Sequence, residues 1–402
     1  MGMMGMLRFL TAGESHGPVL CAVIEGYPAG VELSGDRINE QLARRQAVYG
    51  RGGRMKIEKD RVEILSGVRQ GITLGSPIAL QIRNLDWENW KGIMSSDPGE
   101  FQREKAKERE LTRPRPGHAD LAGAIKYGHH DLRNVLERAS ARETAIRVAV
   151  GTVGRILIES LGCRVFSHVV QVGESRAPDY GDHIFSAEFV KQAVASPVGC
   201  ADAKTAAAMM AEIDQAKENG DTLGGVFEVI CTGLSPGLGS YVHWDRRLDS
   251  RLAAALLGIP SVKGVEFGLG FRGVGLPGSL YHDPIHCTPE GKIYRPSNRA
   301  GGLEGGVTNG EPLLLRAVVK PVPTLLKPLA SVDLRTGKES LASVERSDTC
   351  IVPAAAVIGE AVVSWVLAEA VMEKFGGDNF SEIQQRWHEY IAASRDIIVG
   401  TV

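Results

Sequence analysis

Arg44 to Arg61, "RRQAVYGRGGRMKIEKDR", holds seven basic residues against two acidic ones in a chain of formal net charge −2. Arginine outnumbers lysine there, and its planar fork suits bidentate recognition of carboxylates and phosphates. A second basic cluster is Arg113-Pro114-Arg115-Pro116-Gly117-His118, where the X-Pro steps hold an extended backbone and so fix the separation of Arg115 from His118. A third surrounds "ERASARET": Arg133, Arg138, Arg142 and Arg147. Arg138 and Arg142 are four apart, which predicts one shared helix face. Lys320-Pro321-Val322-Pro323-Thr324 offers a further anion contact. With His16 and His118 on loops as acid–base groups, these clusters describe a site for a small polyanion with proton transfer beside it.

Several better-known patterns fail on their context. Gly13-Glu14-Ser15-His16-Gly17 fits G-x-S-x-G, but a nucleophile elbow needs a helix after its turn, and "PVLCAVIEG" reads as a strand. Ser15 is therefore a poor hydrolase nucleophile, and a strand–turn–strand would present His16 at its tip. Gly268 to Gly273 fits G-x-G-x-x-G, yet "VGLPGSLYHDP" cannot open the helix that a pyrophosphate site requires. No P-loop pattern occurs. His129-His130 and the run His282 to Cys287 lack zinc-site spacing, so they read as loop histidines and no metal is assigned. An RNA-binding loop at Arg44–Arg61 is the non-enzymatic alternative, but the segment runs straight into a strand, whereas RGG segments are long and disordered.

Strand-like runs at Leu7–Ala12, Val19–Glu25, Arg61–Leu65, Ile78–Ile82, Gly225–Cys231, Val262–Phe267 and Leu313–Val319 cluster rather than alternate with helices. The helical runs are Ser140–Leu161, Ala203–Glu218, Arg246–Leu257 and Pro353–Phe375. Clustering of this kind predicts an α+β fold with antiparallel sheets, and the first and last helices, rich in Ala, Val and Gly, belong at its centre. Thr73-Leu74-Gly75 recurs as Thr222-Leu223-Gly224, and Thr144, Ile146, Ala149, Val153 and Gly154 align without gaps on Thr349, Ile351, Ala354, Ile358 and Gly359. These echoes suggest an internal duplication. Met1 to Met6 reads as a disordered leader, and 7–402 as one domain with two pseudo-equivalent halves. The six cysteines lack any C-x-x-C pair, which predicts reduced, mostly buried thiols. The apolar runs look short of the ~20 residues of a membrane span, and the net charge gives no reason to expect nucleic acid or an anionic membrane.

Taken together, "TAGESHGP", "RRQAVYGRGGRM", "SGVRQGITLGSPI", "RPRPGHADLAGAIKYG", "LERASARETAIRVAVG", "AGGLEGGVTNGEP", "KPVPT" and "RSDTC" resemble the chorismate synthase family, from Leu7 into the C-terminal region. The resemblance implies a cytoplasmic, homotetrameric lyase whose antiparallel sheets sandwich central helices. It implies 1,4-anti elimination of phosphate and a C6 proton from 5-enolpyruvylshikimate 3-phosphate, with reduced FMN and no net redox change. NADPH would be an indirect reductant, acting through a separate flavin reductase. By the same resemblance, His16 protonates the leaving phosphate, His118 stabilises charge on the flavin, and Asp348 serves removal of the C6 proton. Ser15, Arg45, Arg51, Arg54, Arg115, Arg142 and Arg346 would meet the substrate, and Arg45 and Arg51 also NADPH. FMN contacts would be Arg138, Ala139, Ser140, Pro260, Ser261, Gly305, Lys320, Pro321, Val322, Pro323, Thr324 and Arg346.

Overall fold

A computed structural model describes residues 7–52, 58–289, 291, 293–345 and 347–399; Met1 to Met6 lie outside them. The chain opens with β1 (Arg8–Ala12) and β2 (Val19–Glu25), an antiparallel pair in which Ala12 faces Cys21. The turn between them carries Ser15 and His16, as the apolar run after Gly17 requires. In β2 the alternation of two buries Leu20, Ala22 and Ile24 and turns Val23 and Glu25 outward. With β3 (Val62–Ile64) and β4 (Ile78–Arg83) they complete a four-stranded sheet ordered β1-β2-β4-β3.

The second sheet comprises β5 (Arg164–Val172), β6 (Ser175–Arg176), β7 (Gly225–Thr232), β8 (Val262–Phe267) and β9 (Leu313–Val319). Its order is β8-β9-β7-β5-β6, with antiparallel neighbours throughout.

The helices that matter for the site are α1 (Gly35–Ala47), α2 (Trp87–Met94), α3 (Asp120–Tyr127), α4 (Arg133–Ala139), α5 (Thr144–Glu159), α6 (Ala203–Glu218), α7 (Leu248–Leu257), α8 (Val352–Phe375) and α9 (Phe380–Val399). α5 and α8 pack on each other at the centre; α5 also meets the four-stranded sheet and α8 the five-stranded one. The helix layer thus lies between two antiparallel sheets. Close approach rests on Gly151, where an added Cβ would fall 2.3 Å from the Ala361 carbonyl oxygen.

α8 is long and apolar enough to cross a membrane, longer than the apolar runs suggest, but 94% of its most apolar window is buried inside the fold. It also carries Glu360, a carboxylate held by Arg44, Arg155 and Ser167. An apolar helix surrounded on all sides by protein is what a large core demands.

One sequence expectation is corrected here. The helix predicted from Ser140 breaks at its first residues: α4 ends at Ala139, Ser140 is extended (ψ 142°), and Ala141–Glu143 is a 3-10 turn before α5. The Ser140 hydroxyl accepts the Arg142 N–H, a local bond that competes with a continuing helix. Arg138 and Arg142 therefore do not share a helix face. The glycines from Gly268 to Gly273 form turns, as expected, with a 3-10 segment at Gly270–Gly273. The six cysteines are free, and four of them are buried.

Candidate active site

The β1–β2 turn is fastened to α4. Glu137 accepts the backbone N–H of His16 at 2.7 Å and the ring Nδ1–H at 2.9 Å, while its own carbonyl accepts the N–H of Ser15. The imidazole stacks on Trp90 of α2, 3.9 Å between ring centroids, and the Arg133 and Arg109 guanidiniums lie over the same indole. Burial alone would raise the Glu137 carboxyl, but the hydrogen bonds from His16 and the charge of Arg133 outweigh it and hold it below the usual carboxylate range. An ionised Glu137 fixes Nδ1 as the protonated nitrogen at this contact and leaves Nε2 for other chemistry. Ser15, 2% exposed, belongs to the turn's framework.

From the same turn a chain of polar groups runs inward. The Gly17 carbonyl accepts from Asn84, whose Oδ1 accepts from Arg142 Nε at 2.9 Å. Arg142 Nη1 then reaches Asp60 at 2.5 Å, and Asp60 faces Arg45 at 3.4 Å. Arg45 follows Ile38 and Leu42 on the buried face of α1, so the helix that fills the core also delivers a guanidinium into it. This is the opposite of a solvated helix end. Burial, followed by the nearby charge of Arg51, pushes Arg45 down to about 9, with Arg142 acting in the same direction. Arg142 Nη2 is buried without a hydrogen-bond partner and lies 3.7 Å from Glu58.

Asp348 closes this side. Arg51 Nη1 reaches its Oδ2 at 2.9 Å, and the Gly52 N–H donates to Oδ1 at 2.6 Å. Position 52 needs glycine, because a Cβ would sit 2.6 Å from the Ser347 carbonyl oxygen. The neighbouring Thr349 and Cys350 N–H groups bond to the Gly50 carbonyl, and the Leu223 N–H bonds to that of Thr349. Pro260 lines one narrow pocket with Arg45, Arg51, Ala141 and Thr144.

His118 stands in a third group. Its Nδ1–H bonds to Asp120 at 2.6 Å, and Asp120 also accepts from Arg115 Nε at 2.8 Å. Burial opposes ionisation of Asp120, but His118 and Arg115 outweigh it and push the carboxyl far down. Arg115 Nη1 donates to Thr324, and Lys320 Nζ donates to the Gly117 carbonyl. Val322 accepts from the Thr222 hydroxyl, which ties "KPVPT" toward the strand beside Asp348. Pro321 and Pro323 flank Val322 in this segment. Lys320 N–H also bonds to the Ser261 carbonyl, and Ser261 adopts φ +73°, a strained conformation for a non-glycine residue.

The remaining candidates divide. Arg138 is exposed and donates to the Gly13 and Thr11 carbonyls, beside Ala139 and Ser140 at the end of α4. Gly305 lies in the turn between Leu303–Glu304 and Val307–Thr308; a Cβ on the adjoining Gly306 would meet Arg247, and the Gly306 carbonyl accepts the Leu248 N–H at the start of α7. Pro260 and Ser261 follow the other end of that helix, whose ten residues span about 15 Å. The Gly305–Gly306 turn thus lies at the N-terminal end of α7, and Pro260 and Ser261 beyond its C-terminal end. Arg54 and Arg346 lie outside the described residues.

Sequence reading missed Glu137, Asp120, Asp60, Asn84 and Trp90. Glu137 and Asp120 stood next to quoted motif residues, and a histidine with a carboxylate two positions on was available as a signal. Nothing local links Asn84 or Trp90 to His16.

The comparisons with known proteins agree along the chain. A family model described as chorismate synthase matches residues 7–372. Chorismate synthase of Desulforamulus reducens is 57% identical over 389 residues, covering 96% of this chain and 99% of that protein. That of Moorella thermoacetica is 57% identical over 385 residues, covering 96% and 98%. A crystal structure of chorismate synthase superposes with a TM-score of 0.78 at 40% identity, over 97% of this chain and 99% of the other. The fold and these relatives define an enzyme of the carbon–oxygen lyase class. The chain belongs to the chorismate synthase family.

Proposed function

We propose that the chain removes phosphate and the C6 proton from 5-enolpyruvylshikimate 3-phosphate to give chorismate, with reduced FMN as cofactor. One observation carries the assignment of the site. Arg45, Arg51 and Arg142 crowd into one buried network, where burial and the charges of Arg51 and Arg142 lower Arg45 in spite of Asp60 and Asp348. Arg142 Nη2 has no partner closer than Glu58 at 3.7 Å among the described residues, and an anion would relieve the remaining repulsion. A substrate with two carboxylates and a phosphate supplies that charge.

The reaction breaks the C3–O bond to phosphate, which leaves with the bonding pair, and takes a proton from C6. A new ring double bond forms and no electrons are consumed. His16 gives a proton from Nε2 to the departing phosphate, while Glu137 holds Nδ1 and Trp90 fixes the ring plane. Asp348, oriented by Arg51 and Gly52, receives the C6 proton. Arg115 and Arg142 hold the anionic groups, with Arg54 and Arg346 as further contacts by resemblance.

The residues present suit a flavin phosphate and its acidic ring edge. Lys320, lowered by burial and by the charge of Lys263, sits against the strained Ser261 and beside Gly117. Such closely set cationic and backbone donors match an anionic cofactor. Arg138, Ala139, Ser140, Pro260, Ser261 and Lys320 to Thr324 would hold it, and His118 would face its ring. When bound there, reduced FMN would supply electron density to the substrate ring with no net redox change.

The same reading extends outward. NADPH serves as indirect reductant through a separate flavin reductase, and the enzyme is a cytoplasmic homotetramer. Residues 7–402 form one catalytic domain with two pseudo-equivalent halves; the paired central helices α5 and α8, with Thr144 at the start of α5 aligned on Thr349 three residues before α8, support a duplication.

Anaerobically, one aliquot of dithionite-reduced FMN should support many turnovers of 5-enolpyruvylshikimate 3-phosphate, and oxidised FMN none. Chorismate formed in fixed ratio to flavin oxidised, or formed without flavin, would sink this mechanism.

A further inference from the structure

We propose that a second cavity, on the face of the five-stranded sheet turned away from α8, binds a small aromatic carboxylate. Its volume is about 290 Å³, at the lower end of the range of small-molecule pockets. It shares no lining residue with the narrow pocket at Arg45. The strand alternation that points Phe227 and Val229 at α8 sends Glu228, His168, Leu314 and Arg316 into this cavity instead.

The charges inside it do not cancel. Arg316 is engaged by Glu228 and Glu266, and Arg272 by Asp179 at 2.7 Å. Burial pushes the Glu228 carboxyl upward against the opposing charge of Arg316. Arg176, exposed at the rim, and the half-buried Arg299 line the same cavity, and among the described residues neither side chain makes a hydrogen bond or ion pair. Two free guanidiniums in a partly enclosed space favour an anion, and their planar geometry favours a carboxylate.

The other walls select an aromatic body with a polar edge. Tyr180 and His168 pack edge to face with centroids 5.7 Å apart, both backed by the buried Phe189, and Phe185 and Leu314 add apolar surface. The Tyr180 hydroxyl is buried with no hydrogen-bond partner among the described residues. His168, 2% exposed, accepts the Ala201 N–H on Nδ1 at 3.4 Å, so its proton sits on Nε2. Burial pushes this histidine down to about 4 against a hydrogen bond with the Gly199 backbone, so it is a neutral wall of the cavity at physiological pH. An unsatisfied buried hydroxyl is costly, and a ligand that pairs with the Tyr180 hydroxyl recovers that cost.

Benzoate is the probe, with benzamide as its uncharged counterpart. Binding is read by calorimetry on the full chain, with 5-enolpyruvylshikimate 3-phosphate saturating the substrate site and flavin omitted. Benzoate should bind in the millimolar range or better, and benzamide about tenfold more weakly, the change expected for losing one charge-assisted hydrogen bond. Arg299→Ala should cost about tenfold as well. Tyr180→Phe, which removes only the hydroxyl, should weaken benzoate by a few-fold. Displacement of benzoate by the substrate, unchanged affinity in both variants, or no binding at millimolar benzoate would each overturn the proposal.

Discussion

Glu137 grips His16 at two points, the backbone N–H at 2.7 Å and the ring Nδ1 at 2.9 Å, so a single carboxylate sets both the turn and the imidazole. Removing the negative charge while keeping the shape tests what that grip does. In Glu137→Gln the chorismate-forming rate should fall roughly tenfold or more, and its pH profile should move, because the imidazolium loses its counter-charge. His16→Ala should cost about 10²–10⁴-fold, the scale of a lost general acid, and Ser15→Ala much less. An unmoved pH profile in Glu137→Gln would show that the contact only braces the turn.

Arg51 and Asp348 form an ion pair 2.9 Å apart. Arg51→Ala should weaken substrate binding by ~1.5–3 kcal/mol, the worth of a hydrogen bond to a charged group. The rate should fall too, because Asp348 loses one of its two anchors. Asp348→Ala should bind substrate and FMN yet turn over slowly. Equal substrate affinity in wild type and Arg51→Ala, measured by equilibrium titration, would remove Arg51 from the binding role.

Much of this architecture was legible because periodicity and punctuation agreed. Val19–Glu25, Val262–Phe267, Leu313–Val319 and Ala203–Glu218 were read with the bounds they have in the fold. β5 was missed because "RVFSHVVQV" is buried on both faces and shows no alternation. α1 was missed because it offers only Ile38 and Leu42 as buried apolar anchors. At the site, the basic clusters and both loop histidines announced themselves by composition. The carboxylates that orient them did not, since Glu137 lies 121 residues from His16 and only the fold makes that pair.

Glu360 offers a pH test of the core. Burial opposes its charge, but Arg44 and Arg155 with the Ser167 hydroxyl prevail, and the carboxyl falls from 4.5 to about 2. A depressed carboxyl stabilises the fold above its unfolded value, so this contribution is intact above about pH 4.5 and is lost as pH falls through about 2. Glu360→Gln should flatten the acid limb of the stability curve over that window. At neutral pH it should cost about 3–5 kcal/mol, because two arginines are left without their buried partner. Chemical denaturation at several pH values would read both effects, and a variant with an unchanged acid limb would contradict the assignment.

Gly151 sets the distance between α5 and α8, and through α5 the position of Thr144, which accepts from Arg45 at 2.9 Å. In an isolated helix Gly→Ala gains about 1 kcal/mol of propensity. Here the new Cβ would meet the Ala361 carbonyl oxygen at 2.3 Å, and neither helix backbone can yield without disturbing the core. Overpacking of this kind costs ~1–3 kcal/mol, so Gly151→Ala should be destabilising by denaturant titration. Gly275 has nothing within 4 Å of its built Cβ, and Gly275→Ala should be neutral or slightly stabilising. The two variants together separate packing from propensity: a stabilised Gly151→Ala would mean that the helix pair relaxes freely, and that the spacing of α5 and α8 does not fix the arginine network.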